Sequence, residues 1–187
     1  GLGTTQLMQD VPAAFAVTAD DRLSPKYTFI STKRVLDELA LAGFVAVDAR
    51  QSSTRSHSPL HARHVVRLRR RMETVRVHEV VPEILFLNSH DGSSAYQLRV
   101  GLFRAICANG LVVSAGTFPL WSVAHRRDVI AEIIRGALAI SERFQFLGEV
   151  VERMQTTVLP LDARLEFAEQ ALKLRYAPAQ CGGMKPS

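Results

Sequence analysis

The run EILFLNSHDGSSAYQLRV, residues 83 to 100, constrains the fold more than any other part of the chain. Two largely apolar stretches flank Asp91-Gly92, and a glycine beside an aspartate supplies the positive φ that hairpin connections demand. The reading is two antiparallel strands joined through Leu87 to Gln97. Alternation then turns Tyr96, Leu98 and Val100 toward a core and Gln97 and Arg99 away from it. A chemical role for the connection has less support. It lacks the GxxxxGK[ST] spacing of a phosphate loop, its single glycine cannot line up a run of amides, and His90 and Asp91 have no evident third metal ligand.

Upstream, YTFISTKRVLDELALAGF predicts a helix of about three turns. Ser31-Thr32 can cap it, Val35, Leu36, Leu39 and Ala40 recur at three and four, and Gly43 closes it. FVAVDAR reads as a strand and QSSTRSHSP as a polar loop. HARHVVRLRRR reads as a second strand, with Val66 and Leu68 on one face and Arg67, Arg69 and Arg71 on the other. Beyond the hairpin, LFRAICAN predicts a short helix ended by Asn109-Gly110, and LVVS a strand. A helix is expected from Asp128, its N-cap, to about Gln155, with Gly136 and Gly148 as points of bending or close packing. LDARLEFAEQALKLRYA is a further helix.

These elements imply an α+β fold: an antiparallel curved sheet of about four or five strands with helices packed on one face, one of them long. Residues 1–176 read as a single domain and 177–187 as a disordered tail. An apolar content of 47% is that of a globular chain. No stretch approaches the roughly 18 to 20 apolar residues of a membrane helix, and GLGTTQLMQD has no basic region followed by an apolar one. Cys107 and Cys181 stand far apart, outside any CxxC pair. The expectation is a cytoplasmic protein with no membrane contact.

Charge is distributed unevenly. Between Ala49 and Arg76 lie Arg50, Arg55, Arg63, Arg67, Arg69, Arg70, Arg71 and Arg76 against Glu73 alone, a local +7 in a chain of formal net charge +5. Arginine rather than lysine suits polyanion binding, because the guanidinium fork matches phosphate oxygens. On a strand, successive members of the Arg67, Arg69, Arg71 row lie about 6.5 to 7 Å apart, in a line that an extended backbone could follow. Tyr27, Phe29 and Tyr96 are the candidates for stacking on bases. If seven of these arginines each met a phosphate of a single strand, log K would fall against log salt with a slope of about −5.

Catalytic patterns are weak by comparison. His57, His61 and His64 have a suggestive spacing, but on a strand His61 and His64 point to opposite faces, and the arginines around them repel a cation. Asp20-Asp21 lie in a loop without evident partners, Glu79 and Glu83 flank a strand, and Cys107 reads as a small buried hydrophobe. There is no Ser-His-Asp or GxSxG signature. Neither an enzyme, a metal nor a cofactor is expected.

Taken together in order and spacing, LNSHDGSSAYQ and GLFRAICANGLV, with YTFISTKRVLDELALAGF and RLRRR before them, resemble the phage- and plasmid-type family known as domain of unknown function 932, an uncharacterised family of prophage proteins. The resemblance covers roughly Tyr27 to Leu159. Its motif residues here are Asn88, Ser89, His90, Asp91, Gly92, Arg104, Cys107, Asn109 and Gly110. Family members continue past the point where this chain ends, so the resemblance implies a shortened or divergent C-terminus. It also implies a setting in mobile elements, whose small proteins handle DNA or counter host defences. The order of elements is similar, more loosely, to single-strand annealing proteins of the Erf and RecT type.

The expected function is DNA binding in a mobile element, with single-stranded DNA binding or annealing, and so recombination, favoured. The alternative is a protein-interaction module that regulates or inhibits a host defence protein or nuclease. Self-association is expected of a sheet covered on one face only.

Overall fold

In the computed structural model, the structure describes residues 1–24, 26–53, 58–72, 80–104, 110–112, 121–125 and 128–175. The chain forms two compact units, Gly1–Val150 and Val151–Ser187. The fold is α+β, and its helices and strands segregate as the hydrophobic periods predict.

The first unit opens with α1 (Thr4–Asp10) and a 3-10 turn at Pro12–Phe15, followed by α2 (Thr32–Leu41). Ser31 caps α2 by accepting from the Arg34 amide, Val35, Leu36 and Leu39 are its buried face, and Gly43 follows at φ 92°. Strand β1 (Phe44–Gln51), a 3-10 turn at Pro59–His61, β2 (His64–Arg70), β3 (Val80–Asn88) and β4 (Tyr96–Arg104) come next. They pair antiparallel in chain order, with an irregularity in β1 between Ala46 and Asp48 of the kind that curves a sheet. Two three-residue strands, β5 (Gly110–Val112) and β6 (Trp121–Val123), share the far side of β4. β6 lies along Tyr96–Leu98 and β5 along Gly101–Phe103. Among the described residues six strands thus occupy five positions across the sheet.

The expected helix over LFRAICAN is corrected in its first part. Leu102, Phe103 and Arg104 continue β4 because β3 offers them partners as far as Val80. Residues 105–109 lie outside the described residues.

One face of the sheet carries the core. Val66, Leu68, Ile84, Phe86, Leu98 and Val100 pack with Val35 and Leu39 of α2 and with Ile133, Ala137 and Ile140 of α3 (Val129–Ser141). Phe144 and Leu147 of α4 (Phe144–Thr156) complete it. The long helix expected from Asp128 is therefore present but bent, with Glu142 and Arg143 between α3 and α4. The bend falls at neither glycine. It follows Ser141, whose hydroxyl donates back to the Leu138 carbonyl at 2.8 Å and accepts from Arg70 Nη1 of β2 at 3.2 Å. Such back-bonding bends helices. Gly136 instead marks close packing, since a Cβ there would lie 2.7 Å from Trp121 Cδ1. Asp128 precedes α3 in the left-handed region at φ 64°, and its side chain makes no cap bond, contrary to the expected N-cap.

In the second unit α5 (Leu161–Arg175) exposes Leu161, Leu165, Phe167 and Leu172. Residues 176–187, including the expected tail, lie outside the described residues. Among the described residues no helix is long and apolar enough to cross a membrane.

Candidate functional site

The face of the sheet turned away from the helices carries the arginines. Cross-strand register sets Arg50, Val65, Leu87, Gln97 and Ser122 in one row and Asp48, Arg67, Leu85 and Arg99 in the next. As expected, Arg67 and Arg69 share this face. They do not form an open row of charge. Glu83 of β3, fully buried, accepts from Arg67 Nε at 2.8 Å and from Arg69 Nη2 at 2.6 Å and Nε at 3.1 Å. Arg67 Nη1 also lies 3.5 Å from Asp48 Oδ2. Two cations and two carboxylates thus cancel in the middle of the expected ridge, where the sequence alone shows Glu83 only as a residue flanking a strand.

Net positive charge lies around that cancelled centre. Arg63 and Arg71 are exposed, and neither side chain meets a carboxylate among the described residues. Arg50, also exposed, is only 3.6 Å from Asp48 through its Nε. Arg99 has one hydrogen bond, from Nη2 to Gln97 at 2.9 Å, while its buried Nε has no partner. Between Arg50 and Arg63 lies a shallow depression of about 260 Å³ lined by Gln51, Ser52, Val65 and Leu87. A larger groove of about 630 Å³ on the helical side is lined by Phe29, Arg34, Glu38, Asp128 and Ile130. Its two acids outnumber Arg34, so it suits a polyanion less well.

The hairpin connection has the predicted turn: Gly92 adopts φ 79°. Asp91 accepts from the Ser93 amide at 2.9 Å and the Ser93 hydroxyl at 2.6 Å, an Asx turn. Burial raises the Asp91 pKa, but the hydrogen bonds from Ser93 and Ser89 outweigh it and hold the carboxyl below its usual range. The loop's other side chains turn inward. Asn88, Ser89 and His90 are buried beside Thr32, the first residue of α2, and His64, the first of β2.

Hydrogen bonding fixes the proton positions in this cluster. His64 Nδ1 lies 2.8 Å from the Ala62 carbonyl and must donate to it, which leaves Nε2 to accept from the Thr32 hydroxyl at 2.8 Å. Thr32 Oγ1 in turn accepts from Asn88 Nδ2 at 2.9 Å, so His90 Nε2, 3.3 Å away, is the second donor to that oxygen. His90 Nδ1 is then a buried acceptor, and it has no partner. His125 repeats the pattern, with Nε2 donating to the Ser94 carbonyl at 3.2 Å and Nδ1 unpartnered. Burial, reinforced by the neighbouring histidines, pushes His90 down to about 3. Burial alone drives His125 to about 4 and lowers His64 as well. All three rings are neutral near pH 7. Among the described residues no group of three or more His, Cys, Asp or Glu side chains could hold a metal ion.

The aromatic candidates belong to this cluster and not to the basic face. Tyr96 is buried, donates to the Ile30 carbonyl at 2.8 Å and packs on His125 with ring centroids 4.0 Å apart. Tyr27 stacks on His125 at 4.4 Å, and Phe29 tilts against His90 at 4.9 Å. Their rings are occupied by imidazoles, which corrects the expectation that they stack on bases beside the arginine row. His61 closes a 3-10 turn instead of lying in the strand, and the turn and the hairpin are tied by the His90 amide donating to the His61 carbonyl. Asp20 is not without partners: Arg22 donates to it at 2.6 and 2.8 Å, holding its carboxyl well below the usual range, and His61 lies 3.8 Å away. Arg104 and Gly110 lie in β4 and β5. Arg55, His57, Arg76, Glu79, Cys107 and Asn109 lie outside the described residues.

Thr32 is the residue that sequence reasoning missed, seeing only a helix cap. Its one available signal was position, at the start of a helix preceding two histidine-bearing strands.

Comparison with known proteins places the chain. The family model described as Domain of unknown function (DUF932) matches residues 21–181. The chain is 38% identical over 172 residues to UPF0380 protein YafZ of Escherichia coli (strain K12), and 37% identical over 172 residues to UPF0380 protein YfjQ of the same organism. Each alignment covers 91% of this chain and 62% of the relative, so the chain spans less than two thirds of the curated relatives it matches. No solved structure matches. With the family model covering most of its length, the chain belongs to the DUF932 family.

Proposed function

We propose that this domain binds a nucleic-acid strand, single-stranded DNA in preference, through phosphate contacts on the face of the sheet opposite α2 and α3. The observation that carries the reading is the set of arginines left without full compensation on that face: Arg50, Arg63 and Arg99. A guanidinium whose donors are not all taken up by carboxylates can offer the rest to a phosphate. The aromatic rings that would stack on bases are on the other face, so affinity comes from the backbone and depends weakly on base sequence.

The salt effect expected of this face is smaller than seven free arginines would give. Arg67 and Arg69 are held by Glu83, and the three arginines named give a slope of log K against log salt of at most about −2 for a single strand. Fluorescence anisotropy of a labelled oligothymidine at several salt concentrations tests this. The reading expects binding at low salt with a slope of about −2, weakened by Arg50→Gln/Arg63→Gln. No binding at low salt, or a slope near zero, contradicts it.

A further inference from the structure

This inference rests on the nucleic-acid reading above and concerns the direction in which the strand lies. The sequence suggests a path along β2, following its arginines. Charge compensation argues against that path. Between Arg63 at one end of β2 and Arg71 just beyond the other, Arg67 and Arg69 share the buried carboxylate of Glu83, and Asp48 stands beside Arg67. A polyanion laid along β2 would cross this neutralised stretch, with two carboxylates beneath it.

Across the strands the arrangement differs. The row Arg50, Val65, Leu87, Gln97 and Ser122 runs from β1 to β6 and contains no acid. At its β1 end the depression of about 260 Å³ has Arg50 and Arg63 among its lining, with Val65 and Leu87 as apolar surface. On β4, two residues beyond Gln97 and in the neighbouring row, stands Arg99, whose guanidinium keeps an unpartnered buried Nε and pairs with no carboxylate among the described residues. β1 and β4 are three strand spacings apart, about 14 Å, which a few nucleotides of an extended chain can bridge.

We propose that the strand crosses the sheet, entering at the depression between Arg50 and Arg63, where one unstacked base lies on Val65 and Leu87, and reaching Arg99 with a later phosphate. A base can reach that depression only when it is free of a duplex, which accounts for the preference for single strands. Arg71, at the far end of β2, is off this path.

The test compares Arg99→Gln with Arg71→Gln in the full chain, by anisotropy of a labelled oligothymidine over a salt series, with a duplex of the same length as competitor. Circular dichroism and the thermal midpoint confirm that each variant is folded. The expected result is that Arg99→Gln flattens the salt slope by about 0.7 while Arg71→Gln leaves slope and affinity unchanged, and that the duplex competes at least tenfold less well. A flattened slope in Arg71→Gln, an unchanged slope in Arg99→Gln, or equal competition by the duplex overturns the crossing path while the nucleic-acid reading stands. Absence of binding by the unsubstituted protein overturns both.

Discussion

Arg67 Nε donates to Glu83 Oε2 at 2.8 Å, and this bond turns an apparent ridge of positive charge into a closed ion-pair network. Glu83 is fully buried and holds Arg69 as well, so its removal acts on two guanidiniums at once. Replacing it with the nearly isosteric glutamine leaves Arg69 without its carboxylate and removes the shorter of the Arg67 ion pairs to Glu83 and Asp48. Glu83→Gln is expected to lower stability by about 1 to 3 kcal/mol in urea denaturation. It is also expected to steepen the salt dependence of oligonucleotide binding by up to about 0.7, as Arg69 becomes available to phosphate. A variant of unchanged stability would show that Glu83 is not the hub of this network.

Thr32 Oγ1 donates to one side chain and accepts from two, which uses its full hydrogen-bonding capacity. Thr32→Val strands His64 Nε2, Asn88 Nδ2 and His90 Nε2 in the interior. The expected loss is about 2 to 4 kcal/mol by chemical denaturation, whereas Thr32→Ser, which keeps the hydroxyl, costs about 1 kcal/mol. Equal losses in the two variants would contradict the hub.

Acid destabilises this fold through its histidines. His64, His90 and His125 have lowered pKa values in the folded chain, chiefly because they are buried, so between their folded values and about 6.5 the unfolded chain binds more protons. Stability is therefore fully present above about pH 6.5 and falls as pH drops toward 4 for His125 and toward 3 for His90. Each of these histidines adds up to about 1.4 kcal/mol per pH unit to the slope. Urea midpoints measured from pH 7.5 to 4.5 check this, and His125→Asn should flatten the curve.

Gly136 faces Trp121, and a Cβ there would come within 2.7 Å of the indole ring. Gly136→Ala forces the ring or α3 to shift and is expected to cost about 1 to 3 kcal/mol despite the better helix propensity of alanine. A stabilised variant would show that α3 and β6 do not pack this closely.

Local pattern was enough to read the hairpin, the capped helix α2 and the alternation of β2, because each depends on neighbours within a few residues. What escaped depends on partners brought together by the fold. Glu83 lies 16 residues from Arg67 and meets it only across the β2–β3 pairing. Thr32, His64 and His90 come from three separate segments, so the sequence shows three unrelated polar residues where the structure has one network. The break between α3 and α4 follows a contact from Arg70 to Ser141, 71 residues apart. Leu102 to Arg104 carry a helical pattern but extend β4 because β3 supplies their partners. The family motif around Asn88 to Gly92 was legible as a motif, and the structure adds that most of its polar side chains face inward.

The most direct measurement of the central claim is residue-level photocrosslinking of a single-stranded oligonucleotide carrying 5-bromodeoxyuridine, read by mass spectrometry. The account predicts crosslinks on the face opposite α2 and α3, at Val65, Leu87, Gln97 and the residues beside Arg50 and Arg63. Crosslinks confined to Phe29, Ile30 and the start of α3, around the groove on the helical side, would contradict it.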